Sequence, residues 1–182
     1  MTADEIAALA ARVVREAGDP GSAWHGESHW RCVAAVSARL RTRTPAADGL
    51  VCVLFALLHD SQRFDDGSDP DHGPRAAAYA ASLHAGGLLP LDSRRFAVLQ
   101  AAIAEHTGGA VTADPTIGTC WDADRLTLPR VGITVDPAYL STAPARDPAT
   151  IAWADRQVAA AHPQWPDLLT AAVRVQSPPP GA

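Results

Sequence analysis

Two adjacent cation-binding side chains, His59 and Asp60, close the most apolar stretch of the chain, Leu50-Val51-Cys52-Val53-Leu54-Phe55-Ala56-Leu57-Leu58. Burying an imidazole and a carboxylate there is costly unless something pairs with them, and a bound cation is the simplest partner. Side chains of the same kinds recur along the chain: His29 upstream, then His72, His106 and Asp124 downstream. Imidazoles and carboxylates without thiolates make a charge-neutralising cage that suits iron, manganese, cobalt, zinc or magnesium better than copper(I) or a cluster. The set has room for one ion or two, the second on His72 and His106 with Asp60 bridging. A water on such an ion becomes a nucleophile near neutral pH, and two ions clamp both the attacking and leaving oxygens of a phosphoryl group.

The elements that must position these groups read as helices with short breaks. Thr2 and Glu5 form a capping-box pair ahead of Ile6, Leu9, Val13 and Val14, one apolar helical face that ends at Gly18-Asp19-Pro20-Gly21. A second helix is predicted over 24–41, with His29, Val33, Val36 and Leu40 on its inner side. The run ending at His59-Asp60 is apolar all round, which predicts a central, buried helix. An acidic, turn-rich segment follows over 65–71, a solvated lid without EF-hand spacing. Pro74 is expected at the first position of an Ala-rich helix that stops at Gly86-Gly87, and Asp92 caps the next, with Phe96, Leu99, Ile103 and His106 on one stripe. Gly108-Gly109 ends that helix, and a loop leads to a short segment, 121–128, bearing Asp124. Asp147-Pro148 starts a helix to about residue 161, and a last amphipathic piece runs over 166–175, before a Pro-rich tail, 177–182, expected to be disordered. The expectation is one all-α domain over 1–176, a compact helical bundle with the candidate ligands on separate helices.

Composition narrows the chemistry. All 15 basic residues are Arg, which excludes Schiff-base catalysis and a Walker-type phosphate loop. A formal charge of -5 gives no basic footprint for nucleic acid or an anionic membrane. Cys32, Cys52 and Cys120 share no CxxC spacing, so they read as small buried hydrophobes in a reducing compartment. Acidic residues stand where a signal peptide is basic, and no apolar run reaches the length of a membrane span. These features predict a cytoplasmic protein, and they set no oligomeric state.

The order His29, His59-Asp60, His72, His106, Asp124 resembles the HD-domain superfamily of metal-dependent phosphohydrolases, whose minimal motif is a His, a later His-Asp pair and a distal Asp closing on one site. The contexts that carry the resemblance are His29-Trp30-Arg31-Cys32-Val33, Leu57-Leu58-His59-Asp60 and Ala123-Asp124-Arg125-Leu126. It implies a helical fold, His29, His59, Asp60, His72, His106 and Asp124 as metal ligands, and hydrolysis of a small phosphate ester or nucleotide. Arg63, three residues after Asp60, stands where several HD families carry a Lys or Arg that meets a substrate anion; its other reading is a surface pair with Asp65 or Asp66. Arg75 has the same two readings. His25, one turn before His29, is a candidate for proton transfer to a leaving group, and Glu27 and Asp122 are candidates for the outer shell or ordinary solvated carboxylates. His84 and His162 lie beside helix ends and outside the site. Trp24, Trp30 and Trp121 flank the motifs, placed to stack a ligand base or to pack as walls. The six-residue pattern also resembles the dinuclear-iron HD oxygenases, from which this chain departs in having no Lys. A non-catalytic metal- or ligand-binding domain is the third reading.

Overall fold

The computed structural model describes residues 2–174; the tail 177–182 and the end of the last predicted helix at Val175 lie outside them. The described residues are all-helical, with no strand among them. The first five helices are α1 Ala3–Glu16, α2 Glu27–Arg41, α3 Gly49–Leu58, α4 His72–Ala85 and α5 Ser93–Glu105. They are followed by α6 Pro115–Arg125, two 3₁₀ turns at Leu128–Val131 and Pro137–Tyr139, then α7 Ala143–Arg146, α8 Pro148–Gln157 and α9 Trp165–Arg174.

Every residue of α3 is buried. It starts where the Asp48 carboxylate accepts from the Leu50 and Val51 amides, and the same carboxylate takes a bidentate pair from Arg95 of α5. Helices α2, α5, α6 and α9 pack around it, with Phe55, Leu54, Leu57 and Leu58 fully enclosed. Each such side chain contributes about 1.5–3 kcal/mol of hydrophobic stabilisation. The all-round apolar character of α3 therefore makes it the axis of the bundle, and its C-terminal end becomes the one fixed point to which His59 and Asp60 are attached.

Several predicted boundaries shift. The Thr2–Glu5 capping box forms, and Ile6, Leu9 and Val13 are buried as a face. Helix α2 begins at Glu27, because residues 22–26 form a turn in which the Ser22 hydroxyl accepts from the Trp24 and His25 amides. Helix α4 begins at His72, two residues before Pro74, which a first turn tolerates because its missing N–H has no partner to lose there. Asp92 caps α5 as predicted. Asp124 lies in a full helix rather than a short segment, since Asp114 caps α6 through the Thr116 and Ile117 amides with Pro115 in its first turn. Helix α8 stops at Gln157.

Candidate metal centre

Four imidazoles and two carboxylates from five elements meet at the C-terminal end of α3. His29 comes from the first turn of α2, His59 is the C-cap of α3 and Asp60 follows it, His72 opens α4, His106 caps the end of α5, and Asp124 lies in the last turn of α6. They form two groups of buried or half-buried donors, His29 with His59 and Asp124, and Asp60 with His72 and His106, each within 4.8 Å.

The carboxylate of Asp60 lies between the groups. Its Oδ2 is 3.6 Å from His29 Nε2 and 3.6 Å from His59 Nε2, while its Oδ1 is 3.1 Å from His72 Nε2 and 3.6 Å from His106 Nε2. Asp124 Oδ1 closes the first group at 3.3 Å from His29 Nε2 and 3.7 Å from His59 Nε2.

Three of the four imidazoles have their tautomer set by the backbone. His59 Nδ1–H donates to Ala56 O, His106 Nδ1–H to Ile103 O, and His72 Nδ1–H to Asp69 O. A neutral imidazole that donates through Nδ1 carries a bare lone pair on Nε2, the state a metal ligand needs. His29 Nδ1 faces the Thr127 hydroxyl at 3.5 Å; that hydroxyl donates to Asp124 O, so its lone pairs face His29 and Arg130.

The donor set fits divalent ions. Nε2 of His72 and His106 stand 2.9 Å apart, and Nε2 of His29 and His59 3.3 Å apart. Two bare lone pairs this close repel unless a proton or a metal ion lies between them. Ions with bonds of about 2.0–2.2 Å separate neighbouring donor atoms by about 3.0–3.5 Å, close to the spacings found here. Asp124 Oδ1 is also buried with no hydrogen-bond partner, a state that costs about 1–3 kcal/mol if nothing coordinates it.

Electrostatics agree at His29, Asp60 and Asp124, while His59 is held towards its charged form. Burial, reinforced by the Arg130 charge, holds His29 down at about 4, so it is neutral at pH 7. Burial also opposes charge on His59, but Asp60 and Asp124 outweigh it and raise its pKa. Both carboxyls resist protonation despite burial: the His59 charge and imidazole hydrogen bonds hold Asp60 well below the usual carboxylate range, and His29 and His59 do the same for Asp124.

Asp60, His72, His106 and Asp124 of the cluster line a cleft of about 410 Å³, which His29 and His59 do not reach. His25 lines it, with Nδ1 3.2 Å from Asp60 Oδ2 and 3.3 Å from Arg130 Nη2. Arg63 also lines it, and neither reading of this residue describes its packing fully. It is buried rather than a surface partner of Asp65 or Asp66: its guanidinium donates to the backbone carbonyls of Gly67 and Asp65, with Nη1 3.2 Å from the His72 ring. The acidic segment 65–71 is exposed apart from Asp69, whose carboxylate accepts from Arg75 and the Phe64 amide, and it supplies the carbonyls that hold Arg63 and His72. Arg75 is occupied elsewhere, with Asp69, Gln62 O and the Phe64 ring.

Other candidates fall outside the cluster. Glu27 accepts from Trp165 Nε1, at the α9 side. Asp122 is buried and accepts from the Ser141 and Thr142 amides and the Thr142 hydroxyl; burial raises its carboxyl despite them. It is an anchor for the chain after α6, not an outer-shell ligand. Trp30 and Trp121 are buried in the core and donate to His25 O and Ala102 O, and none of the three tryptophans lines the cleft. His84 stacks on Phe96 and bonds Leu91 O, and His162 bonds Gln157 O.

Sequence reasoning missed Arg130. It follows Asp124 by six residues in the 3₁₀ turn and lines the cleft. It donates to Trp24 O, Thr127 O and the Thr127 hydroxyl, leaving Nη2 towards His25 and Asp124. No periodicity marks it, because its position depends on a turn rather than a helix face. Comparison with family models, curated proteins and solved structures gave no match to this chain.

Proposed function

We propose that the protein is an HD-type, metal-dependent phosphohydrolase acting on a small phosphate ester through a dinuclear centre. The observation that carries the reading is Asp60, whose two oxygens each face a pair of inward-pointing imidazole Nε2 atoms. His29, His59 and Asp124 would hold one ion, and His72 and His106 the other, with Asp60 shared. When bound, such ions generate a nucleophile from water at neutral pH and neutralise charge on the phosphoryl oxygens.

The chain's own groups do the rest. Three Arg, Arg63, Arg125 and Arg130, face three Asp, Asp60, Asp124 and Asp136, around the cleft, so its protein charges nearly balance. With divalent ions held by the His and Asp residues, the cleft would carry a net positive charge suited to a phosphate dianion. Arg63 and Arg130, held rigidly through backbone carbonyls, orient that anion. In hydrolysis the water oxygen bonds to phosphorus and releases one proton to solvent, the bond from phosphorus to the ester oxygen breaks, and the departing alkoxide takes a proton. His25, at the cleft edge beside Asp60, is placed to deliver it.

The test is anaerobic phosphate release from a panel of small monoesters with manganese or iron added. Release is expected, and Arg63→Ala should mainly raise KM. An inert panel combined with iron-dependent oxygen consumption would replace this reading with the oxygenase.

A further inference from the structure

Beyond its His, Asp and Arg residues the cleft is lined by apolar side chains from the chain after α6, with Thr134 and Asp136 among them. Beyond α6 the chain makes the 3₁₀ turn Leu128–Val131 and reverses at Gly132, whose φ of 77° is a left-handed conformation that Gly adopts without a Cβ penalty. It then runs along the cleft as a strap, 132–140. Leu128 before the reversal, and Ile133, Val135 and Tyr139 of the strap, line the cleft. Ile133 is 50% exposed and Tyr139 55%, so two of the few large apolar side chains left open to solvent face the same cavity.

The strap is held firmly at both ends. Arg130 fixes the turn before Gly132 through Trp24 O and Thr127, while Arg125 donates to Tyr139 O and Asp122 takes the amides of Ser141 and Thr142. Its side chains are therefore presented by buried anchors, in the way a binding wall is built, and open apolar area of this kind gains from being covered.

We propose that the substrate of the metal centre is a phosphate monoester whose leaving group is an apolar body of about one ring, seated against Leu128, Ile133, Val135 and Tyr139. This rests on the phosphohydrolase reading and narrows it. Size supports a small occupant: a cavity of about 150 Å³ holds a benzene ring, so about 410 Å³ accommodates a phosphoryl group, its ions and one ring. Chemistry supports the orientation, with the anionic end on the His, Asp and Arg floor and the apolar end on the strap. A sugar would set its hydroxyls against Leu128, Ile133 and Val135, which offer no polar partner, and beside them only Tyr139, Thr134 and Asp136 could accept or donate.

The experiment compares two probes on the metal-loaded protein, phenylphosphonate and methylphosphonate, by calorimetry, and in parallel the hydrolysis of phenyl phosphate and glycerol phosphate. Phenylphosphonate is expected to bind about tenfold tighter or more. kcat/KM should favour phenyl phosphate by a similar factor. Ile133→Ser and Tyr139→Ala should each narrow both ratios several-fold through Kd and KM, whereas Leu88→Ser, an exposed apolar residue elsewhere, should change neither. Equal affinity for the two phosphonates overturns the inference, even where both esters are hydrolysed and the phosphohydrolase reading stands. Preferential, Ile133-dependent binding of phenylphosphonate without hydrolysis of any ester upholds the apolar subsite while overturning the phosphohydrolase reading. Should Ile133→Ser fail to fold, Tyr139→Ala and the probe ratio on the unaltered protein still decide the matter.

Discussion

The two halves of the centre are built differently. His29, His59 and Asp124 stand on α2, α3 and α6, three helices packed against one another through the core. His72 and His106 stand at helix ends, the start of α4 and the finish of α5, and their rings are oriented by the Asp69 and Ile103 carbonyls. The first half joins three helices around the α3 axis. The second joins α4 and α5, which pack on each other, and its His72 ring also rests on the loop before α4. Asp60 is shared between them, one oxygen to each.

Breaking that joint should have the largest effect. Asp60→Ala is expected to remove most metal from both positions and lower kcat by about 10²–10³ or more, read by elemental analysis and steady-state rates, with the helical signal retained. Two ions still bound with this variant would contradict the bridging role.

Next come the two halves taken one at a time. His106→Ala should lower metal content from two ions towards one, and His29→Ala should weaken the other position. If the half around the α3 axis is the stiffer, the ion that survives His106→Ala will exchange more slowly than the one that survives His29→Ala, as competition with a chelator would record. An unchanged count in His106→Ala would make that residue a cavity wall.

Subtler changes sharpen the contrast. Thr127→Val removes the only hydroxyl facing His29 Nδ1 among the described residues and should cost about 10–100-fold in metal affinity at the first half, with Thr127→Ser restoring most of it. A purely structural role for Thr127 would lower melting temperature without separating Val from Ser in metal binding. Gly73→Ala acts on the other half, because a Cβ there would meet the Ile103 and Ala104 carbonyls at 3.0 Å and the His106 ring at 3.4 Å. It should push α4 from α5, cost about 1–3 kcal/mol of stability and loosen only the His72–His106 position. The smallest effect belongs to His84→Ala, which removes a bond to Leu91 O and a stack on Phe96; about 1 kcal/mol of stability and no change in metal content are expected.

The helical class, the buried α3 and the inward faces of α2 and α5 were legible because apolar periodicity and end caps are local signals, and packing in this bundle follows them. His29 and His106 could be placed inside on that basis alone. The same local signals misjudged Trp24, because the Ser22 turn delays α2, and Pro74, because α4 begins two residues earlier than its proline suggests. They overlooked the Asp114-Pro115 start of α6 and so shortened the helix carrying Asp124.

What the sequence by itself determined is the inventory: a Lys-free helical chain with His and Asp residues at the ends of apolar helices, in an order that makes a metal site the simplest reading. What only the tertiary structure decided is arrangement. Nothing in the residue order says that Asp60 turns one oxygen to each imidazole pair, that Asp122 anchors the strap and Asp124 faces the cluster, or that Arg130 from a 3₁₀ turn meets His25. Those relations join groups about 20 to 105 positions apart along the chain. Local propensity acts over one or two turns of helix, whereas such distant pairings are set by how the helices pack and which buried polar atoms must then find partners.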